Sequence, residues 1–453
     1  AMARAGDLIT AYSIQQAHHD KSVLRPALHA AHAKADNRGW RLRSKGRPPV
    51  NIKLLGGTSF SIKTPYLCRD LRGRRGRRRG VGKRRKKGSG IYPVLNSLGI
   101  EDRCTPATRS EIALHTVLCG SYEEAQQQLA RRGLKLDIET IRTLAVSVGH
   151  PAMDLRDGAL ETARQIPVPR DGPMAGRRVR ISVDGGRTRT RRTKKRAKIG
   201  KNGRRPFETA WREPRILTID VLDEKGNSDP ASRPIYDVTL CNADTTFGLL
   251  LGHLRWLGVA HAREVEFVAD GADWIWNRLD ALRREAEIPT ERFYPVLDYY
   301  HATEHIDDIL DLCRGMNQKT KQKKLTRLSK QLLKEDGAQS VIEALRPLAK
   351  GRRAPKIKAQ IKYLCKHLRH MDYAGLKARR LPIGSGIVES AVRRVINLRF
   401  KGASVFWKEE NLDPLLFLRA VWKAGWWEEL IRGVSLDVYY LAFQFPESWK
   451  SAA

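Results

Sequence analysis

The order of strand-like and helix-like stretches between residues 177 and 301 constrains the fold more than any other feature of the chain. "RRVRISVDGG" (177–186), "EPRILTIDVLDEKGN" (213–227) and "RPIYDVTLCNA" (233–243) each carry β-branched and apolar residues in the pattern of a strand. With short or polar connections between them, they predict an antiparallel meander. The grammar then changes. "DTTFGLLLGHLRWLGVA" predicts a helix capped by Asp244, "REVEFVADGADWIW" a buried strand ending at Asp270, and "NRLDALRREA" a helix. "RFYPVLDYY" follows as a fifth strand, leading into a helix that begins near His301. A β-β-β-α-β-α-β-α order demands a mixed sheet with helices packed on it, and it excludes an all-helical or all-β chain.

That order is the RNase H-like layout. From 306 to 380 the pattern is helical and basic without a strand signal, so the α/β domain is predicted to be interrupted by an α-helical insertion. The interruption ends at "LPIGSGIVESAVRRVINLRFKG" (381–402), where Ser385 is placed to cap a helix with Glu389 in its first turns. "LDPLLFLRAVWKAGWWEELIRG" and an aromatic tail follow, with Trp422, Trp426 and Trp427 read as core or interface.

Charge names the partner. The 85 Lys and Arg against 49 Asp and Glu give a net charge of +36, which calls for a polyanion, double-stranded DNA first. A membrane is disfavoured, because no apolar stretch is long enough to span a bilayer and no basic amphipathic helix lies at either end. No apolar core of a secretory signal follows Met2, and six cysteines without a CxxC pair read as reduced thiols, so the expected location is cytoplasmic and nucleoid-associated.

Two N-terminal features fit DNA. "RGWRLRSKG" and "VNIKLLGGTSFSIKT" predict a small β-hairpin unit, followed by "RDLRGRRGRRRGVGKRRKKGSG" (69–90), which cannot bury a core. Arg74, Arg75, Arg77, Arg78, Arg79, Lys83, Arg84 and Arg85 make it a phosphate-binding arm. Residues 105 to 150 then read as three helices, the second opened by a capping box of Ser121 and Glu124 and the third capped by Asp137. This is a helix-turn-helix pattern, and it would present Glu139, Thr140, Arg142 and Thr143 to DNA. His115 and Cys119, one turn apart without partners, read as packing rather than zinc ligands.

Chemistry rests on three acids. In the layout above the first and fourth strands are neighbours, so Asp184 and Asp270 can lie side by side with the helix of Glu389 across their ends. Three converging carboxylates suit two Mg²⁺ or Mn²⁺ ions, which stabilise the attacking and leaving oxygens of a phosphoryl displacement. Gly185 and Gly186 would let a phosphodiester backbone approach, and Arg187, Arg189 and Arg393 would hold it. Trp274 and Trp276, close after Asp270, are placed equally for stacking on an unpaired base or for packing their helix.

"ISVDGGRTRTRR", "VEFVADGADWIWN", "LDYYHATEHI" and "LPIGSGIVESAVRRVINLRFKG" together resemble the DDE transposases of the Kra-type (ISKra) bacterial insertion sequences, over roughly residues 90 to 432. The resemblance implies an RNase H-like catalytic domain, cleavage at transposon ends and strand transfer by the released 3′ hydroxyl. It also implies a supporting role for Asp298 and His301, because related groups carry an Asp or Cys followed by His after the second aspartate. It implies a homodimer or larger assembly that holds two ends. Some relatives carry an N-terminal cysteine-paired zinc knuckle, of which only Cys68 remains here.

The expected organisation is a hairpin unit and basic arm over 1–90, a helix-turn-helix domain over 91–165, and the first part of the catalytic domain over 170–305. The insertion follows over 306–380, and the last catalytic helices and tail over 381–453. Two other functions compete: a DNA-binding autoregulator that has lost cutting, and an RNase H-like nuclease for branched DNA or RNA hybrids. Three acids in catalytic order argue against the first, and a helix-turn-helix against the second.

Overall fold

The computed structural model describes residues 2–70, 90–194, 198–200, 203, 205–403, 405–437 and 439; the arginines and lysines of the basic arm from Arg74 to Arg85 lie outside the described residues. The chain divides into two compact units, Ala1–Val148 and Gly149–Ala453.

The first unit opens with helices α1 (Met2–His19) and α2 (Lys21–Asp36). The hairpin of β2 (Pro49–Lys53) and β3 (Ser59–Lys63) comes next, flanked by a small sheet of β1 (Leu42–Ser44), β4 (Leu67–Arg69) and β5 (Gly90–Ile91). Val50, Ile52 and Ile62 alternate inward along the hairpin and pack with Ile14 of α1 and with Leu95 of the short α3 (Pro93–Ser97). The buried carboxylate of Asp7 accepts from the amides of Gly56 and Thr58 at 2.8 and 3.0 Å, which ties the hairpin's turn to α1.

Three helices complete this unit: α4 (Pro106–Leu118), α5 (Tyr122–Arg131) and α6 (Ile138–Gln165), the last crossing into the second unit. Ile112, Leu129, Leu134, Ile141 and Leu144 form their core. The predicted box at Ser121 is half made. Its hydroxyl accepts from the Glu124 amide at 3.0 Å, but the Glu124 carboxylate accepts from Gly120 instead of returning to Ser121. At the turn before α6, Gly133 has a φ of +95° and its carbonyl oxygen lies 2.2 Å from where a Cβ on Gly57 would stand, so only glycines let hairpin and helical turn meet. The third helix runs on to Gln165, through Pro151, rather than ending near 150.

The second unit is α/β. Its central sheet contains β6 (Arg178–Gly185), β9 (Arg215–Leu222), β10 (Ile235–Thr239), β11 (Glu264–Ala269) and β12 (Phe293–Leu297), in the order β10-β9-β6-β11-β12. The three-strand meander is antiparallel, and β11 and β12 join parallel to β6. The connection from β6 to β9 is not a plain loop. It rises into a separate antiparallel ribbon, β7 (Thr188–Thr193) and β8 (Phe207–Arg212), which the arginine block conceals in the sequence.

Helix α7 (Ala243–Trp256) is capped by Asn242, whose side chain accepts from Thr245, and not by Asp244, which pairs with Arg278 in α8 (Asp273–Glu285). Two residues earlier, Asn242 alone has the extended backbone that aims a side chain at the free amides. The C-terminal half of α6 is fixed by a buried Arg156–Asp237 ion pair of 2.7 Å, with His253 on the other Asp237 oxygen at 2.9 Å.

After β12 come α9 (Tyr299–Leu312), α10 (Gln318–Leu332), α11 (Gly337–Leu345), α12 (Ala354–Lys366) and α13 (Tyr373–Ala378). This helical group shares one core with the sheet, where Val268, Val296 and Leu297 meet Ile306, Leu328, Ile342 and Leu364. The chain returns through α14 (Gly386–Ala391), a π-helical stretch Val392–Asn397 and α15 (Leu398–Phe400), and ends in α16 (Glu409–Ala424) and α17 (Trp427–Leu436). Trp426 and Trp427 are buried.

Candidate active site: a cleft of unpaired carboxylates

Strand register builds the site. Val268 pairs with Ser182 and Ala269 with Leu297, so the same register carried past the strand ends sets Asp184, Asp270 and Asp298 abreast on three adjacent parallel strands. Neighbouring strands lie about 4.8 Å apart, and the carboxyl ends of parallel strands are where open α/β sheets bind their ligands. Asp184, Asp270, Asp298, His301, Glu304, Ser385 and Glu389 line one cleft of about 150 Å³.

Each acid has its own local support. The Asp184 carboxylate accepts from the Gly185 amide at 2.6 Å and that of Asp270 from the Ala272 amide at 3.0 Å. Neither they nor Glu389 form an ion pair among the described residues. Burial pushes the Asp184 carboxyl up to about 6, and the negative charges of Asp270, Glu389 and Glu213 add to the shift, against the Gly185 amide that lowers it. The cleft therefore holds concentrated negative charge that the protein does not neutralise itself.

Asp298 acts as a clasp. It is buried and accepts from the His301 amide at 2.9 Å, which makes it the N-cap of α9. Its other oxygen accepts from the Ser385 amide. Ser385 does not cap α14 with its hydroxyl, contrary to the sequence expectation, because its backbone is not extended; the hydroxyl donates to Glu389 at 3.0 Å and holds that carboxylate at the cleft. His301 is half-buried, 3.3 Å from Glu304, and packs edge-on to His305 and Tyr363.

The glycines after Asp184 make close approaches within the protein itself. A Cβ on Gly185 would stand 2.3 Å from the Glu213 carboxylate, and one on Gly186 would stand 2.7 Å from Ile396. The close approach they permit is to the protein's own chain, bringing Glu213 and the segment after Glu389 against the end of β6. Glu213 is thus a further acid near the cleft, unnoticed in the sequence because the ribbon hides which residue faces Asp184. Tyr363 also escaped notice: its ring lies where a side chain on Gly271 would be, and burial followed by the charge of Asp270 pushes its hydroxyl well up.

The other predicted residues divide. Arg187 and Arg393 are exposed, whereas Arg189 is half-buried, donates to the Gly402 carbonyl and lies over the Trp211 and Phe406 rings. Trp276 donates to the Asp270 carbonyl at 2.6 Å and stacks on His370 at 4.3 Å, so both its edge and a face are used in packing. Trp274 meets Phe247 edge-on and carries Arg215 over its ring. In the first unit, Glu139 and Thr143 are exposed, Arg142 pairs with Glu139, and the Thr140 hydroxyl donates to the capping Asp137 at 2.7 Å. His115 Nδ1 lies 3.0 Å from the Glu111 carbonyl within α4.

Among the described residues no three His, Cys, Asp or Glu side chains stand at ligating spacing. The carboxylates face one cleft without being drawn in to a common point. As a donor set they fit a hard divalent cation: all oxygen, charged and free of guanidinium or ammonium partners. No helix among the described residues is long and apolar enough to cross a membrane. No protein-family model matches the chain, and neither does a curated protein or a solved structure.

Proposed function

We propose that the second unit is the catalytic domain of a DDE-type DNA transposase, which cuts DNA at the ends of its element and joins the released 3′ end to a target. One observation carries the reading: acids from three distant blocks, Asp184, Asp270 and Glu389, line one cleft with no cationic partner, in a chain of net charge +36. The sheet order, meander first and parallel strands after, supports an RNase H-like fold. The sequence resemblance to Kra-type transposases supports the reaction class. The helices α4 to α6 support a helix-turn-helix, with Glu139 and Thr143 exposed near the start of the third.

In this reading Asp184, Asp270 and Glu389 hold two Mg²⁺ or Mn²⁺ ions, which supply activation of the attacking oxygen and stabilisation of the leaving one. The protein contributes position. Asp298 fixes Ser385, and Ser385 fixes Glu389, so the helix-borne acid keeps its aim while the two strand-borne acids are held by the sheet. Basic side chains around the cleft hold the DNA backbone, and a dimer or larger assembly holds two ends.

The test is cleavage. The full chain is incubated with Mg²⁺ and labelled duplexes from the DNA flanking its own coding sequence, and nicks are mapped. Strand cuts at fixed positions that vanish with chelator, and in Asp184→Asn, Asp270→Asn and Glu389→Gln proteins, are the expected result. Binding of the same DNA without metal-dependent cuts under any divalent cation overturns it.

A further inference from the structure

The ribbon β7–β8 leaves the sheet two residues after Asp184 and returns just before Glu213. Between Arg187 and Arg212 the sequence has twelve basic residues and one acid, Glu208. Core burial accounts for only the root of these strands: Thr188 and Thr190 of β7 are buried, whereas every residue of β8 is exposed. Register places Arg189, Arg191 and Thr193 opposite Trp211, Thr209 and Phe207, so these six share one face. On it Trp211 is 60% exposed and Phe207 is 42% exposed, with the Arg191 guanidinium 5.8 Å from the Phe207 ring. Phe406 lies 5.6 Å from the Phe207 ring and Arg189 lies over Trp211, yet Phe207 and Trp211 stay exposed beside arginines, a surface suited to a partner.

The ribbon is also held firmly at its root. The Arg191 amide donates to the Trp407 carbonyl at 2.8 Å, and the Trp407 amide donates to the Arg189 carbonyl at 3.0 Å. Thr188 donates to the Phe400 carbonyl at 2.8 Å, and Arg212 pairs with Glu409 at 2.8 Å. Its base is therefore fixed on one side to the strand of Asp184 and on the other to the segment following Glu389. Whatever the ribbon grips is positioned relative to both acids.

We infer that this ribbon enters a groove of duplex DNA lying across the carboxylate cleft, with Arg191 on a phosphate and Trp211 against a base. The inference takes DNA as the substrate of the cleft from the function proposed above. A major groove is wide enough for a two-stranded ribbon, and the charge of this segment complements phosphate. In a groove the bases present their edges, so the Trp211 indole makes apolar contact with base edges and sugars and adds affinity beside the phosphate contact of Arg191.

The experiment uses the full chain and a 30-base-pair duplex, with binding followed by fluorescence anisotropy across a salt series. Trp211→Ala should raise Kd about fivefold or more without changing the salt slope. Arg191→Gln should lower the slope by about one. Other basic segments also attract DNA, so location is read separately: a duplex carrying 5-iododeoxyuridine should crosslink to the 207–212 peptide, and Trp211→Ala should remove that crosslink. Trp211→Phe should restore much of it, and both exposed-site variants should melt like the wild type. Unchanged Kd and slope with crosslinks only elsewhere overturns the inference, as does a loss of self-association in Trp211→Ala with DNA binding intact. If the wild-type chain never cuts DNA yet the ribbon variants lose the crosslink, the ribbon assignment stands and the cleavage reading falls. If it cuts and the variants bind like wild type, the reverse holds.

Discussion

One face of the central sheet carries two rows of charged residues that differ only in position along β6. Toward its start, Arg180 makes a two-pronged pair with Asp220 on β9, at 3.1 and 2.7 Å, and Arg178 meets Glu264 on β11 at 2.7 Å. At its end, the same register brings Asp184 level with Asp270, and neither has a cation. The first row is neutralised within the protein and belongs to stability. The second leaves negative charge at the cleft without a cationic partner among the described residues, which is what the proposed metal chemistry would use. Glu266 lies between: fully buried beside Arg180, whose guanidinium is already committed to Asp220, and pushed well above the ordinary carboxyl range by burial.

The comparison can be broken at several points. The largest effect should be on cleavage: Asp184→Asn or Asp270→Asn should slow strand nicking in Mg²⁺ by about a thousandfold or more, roughly 4 kcal/mol, with duplex affinity kept. Normal nicking rates in either would move the site elsewhere, with Glu304 and Glu213 next in line.

Stability should respond oppositely in the two rows. Arg180→Ala strands Asp220 in a buried position and should cost about 3–5 kcal/mol in denaturant unfolding. A loss under 1 kcal/mol would mean that the lower row is not what holds the sheet.

Removing charge from the upper row should instead help the metal-free protein. Asp184 titrates near 6 when folded and near 3.8 when unfolded, so its ionisation opposes folding. The penalty is full above pH 6, shrinks between 6 and 4, and is absent below. Asp184→Asn should therefore stabilise by about 1–3 kcal/mol at pH 7.5 and by nothing near pH 3.5, as read from melting temperatures without divalent ions. Equal melting at both pH values would show that the acid is compensated.

Glu266→Gln should change stability least, by under about 1 kcal/mol at neutral pH, because burial already favours the uncharged form of the acid it replaces. Its advantage should grow as pH rises and the wild-type carboxyl is forced to ionise. A large loss at pH 7 would reveal a charged partner for Glu266.

Much of this arrangement was legible in the sequence because apolar periodicity carried it. The meander, the two strands after it and the acids at their ends could be placed from alternation and turn residues alone. What stayed hidden has physical reasons. The ribbon alternates threonine and arginine, so it lacks the apolar rhythm that marks a strand, and a charged run reads as solvated loop. With the ribbon unseen, Glu213 had no register and the glycines had no protein neighbours. Ser121 and Asp137 cap as the sequence suggested, but the cap of α7 failed on backbone conformation: Asn242 and Asp244 are equivalent as residue types, and only their dihedral angles choose between them. Ser385 looked like a cap because its link to Glu389 exists only across a helical turn and in concert with Asp298, whose bond to the Ser385 amide spans 87 residues.

That clasp has a consequence for how such a chain can vary. The helical excursion departs at Asp298 and comes back at Ser385, where one carboxylate receives an amide from each end, and the Tyr299 amide donates to the Ile383 carbonyl beside it. Because departure and return share one residue, a change of length in the loops of the excursion away from this clasp leaves the distance between its two ends unchanged. The excursion is free in its loops and bound in its helices, because α9 and α12 share a core with the strands that carry Asp270 and Asp298.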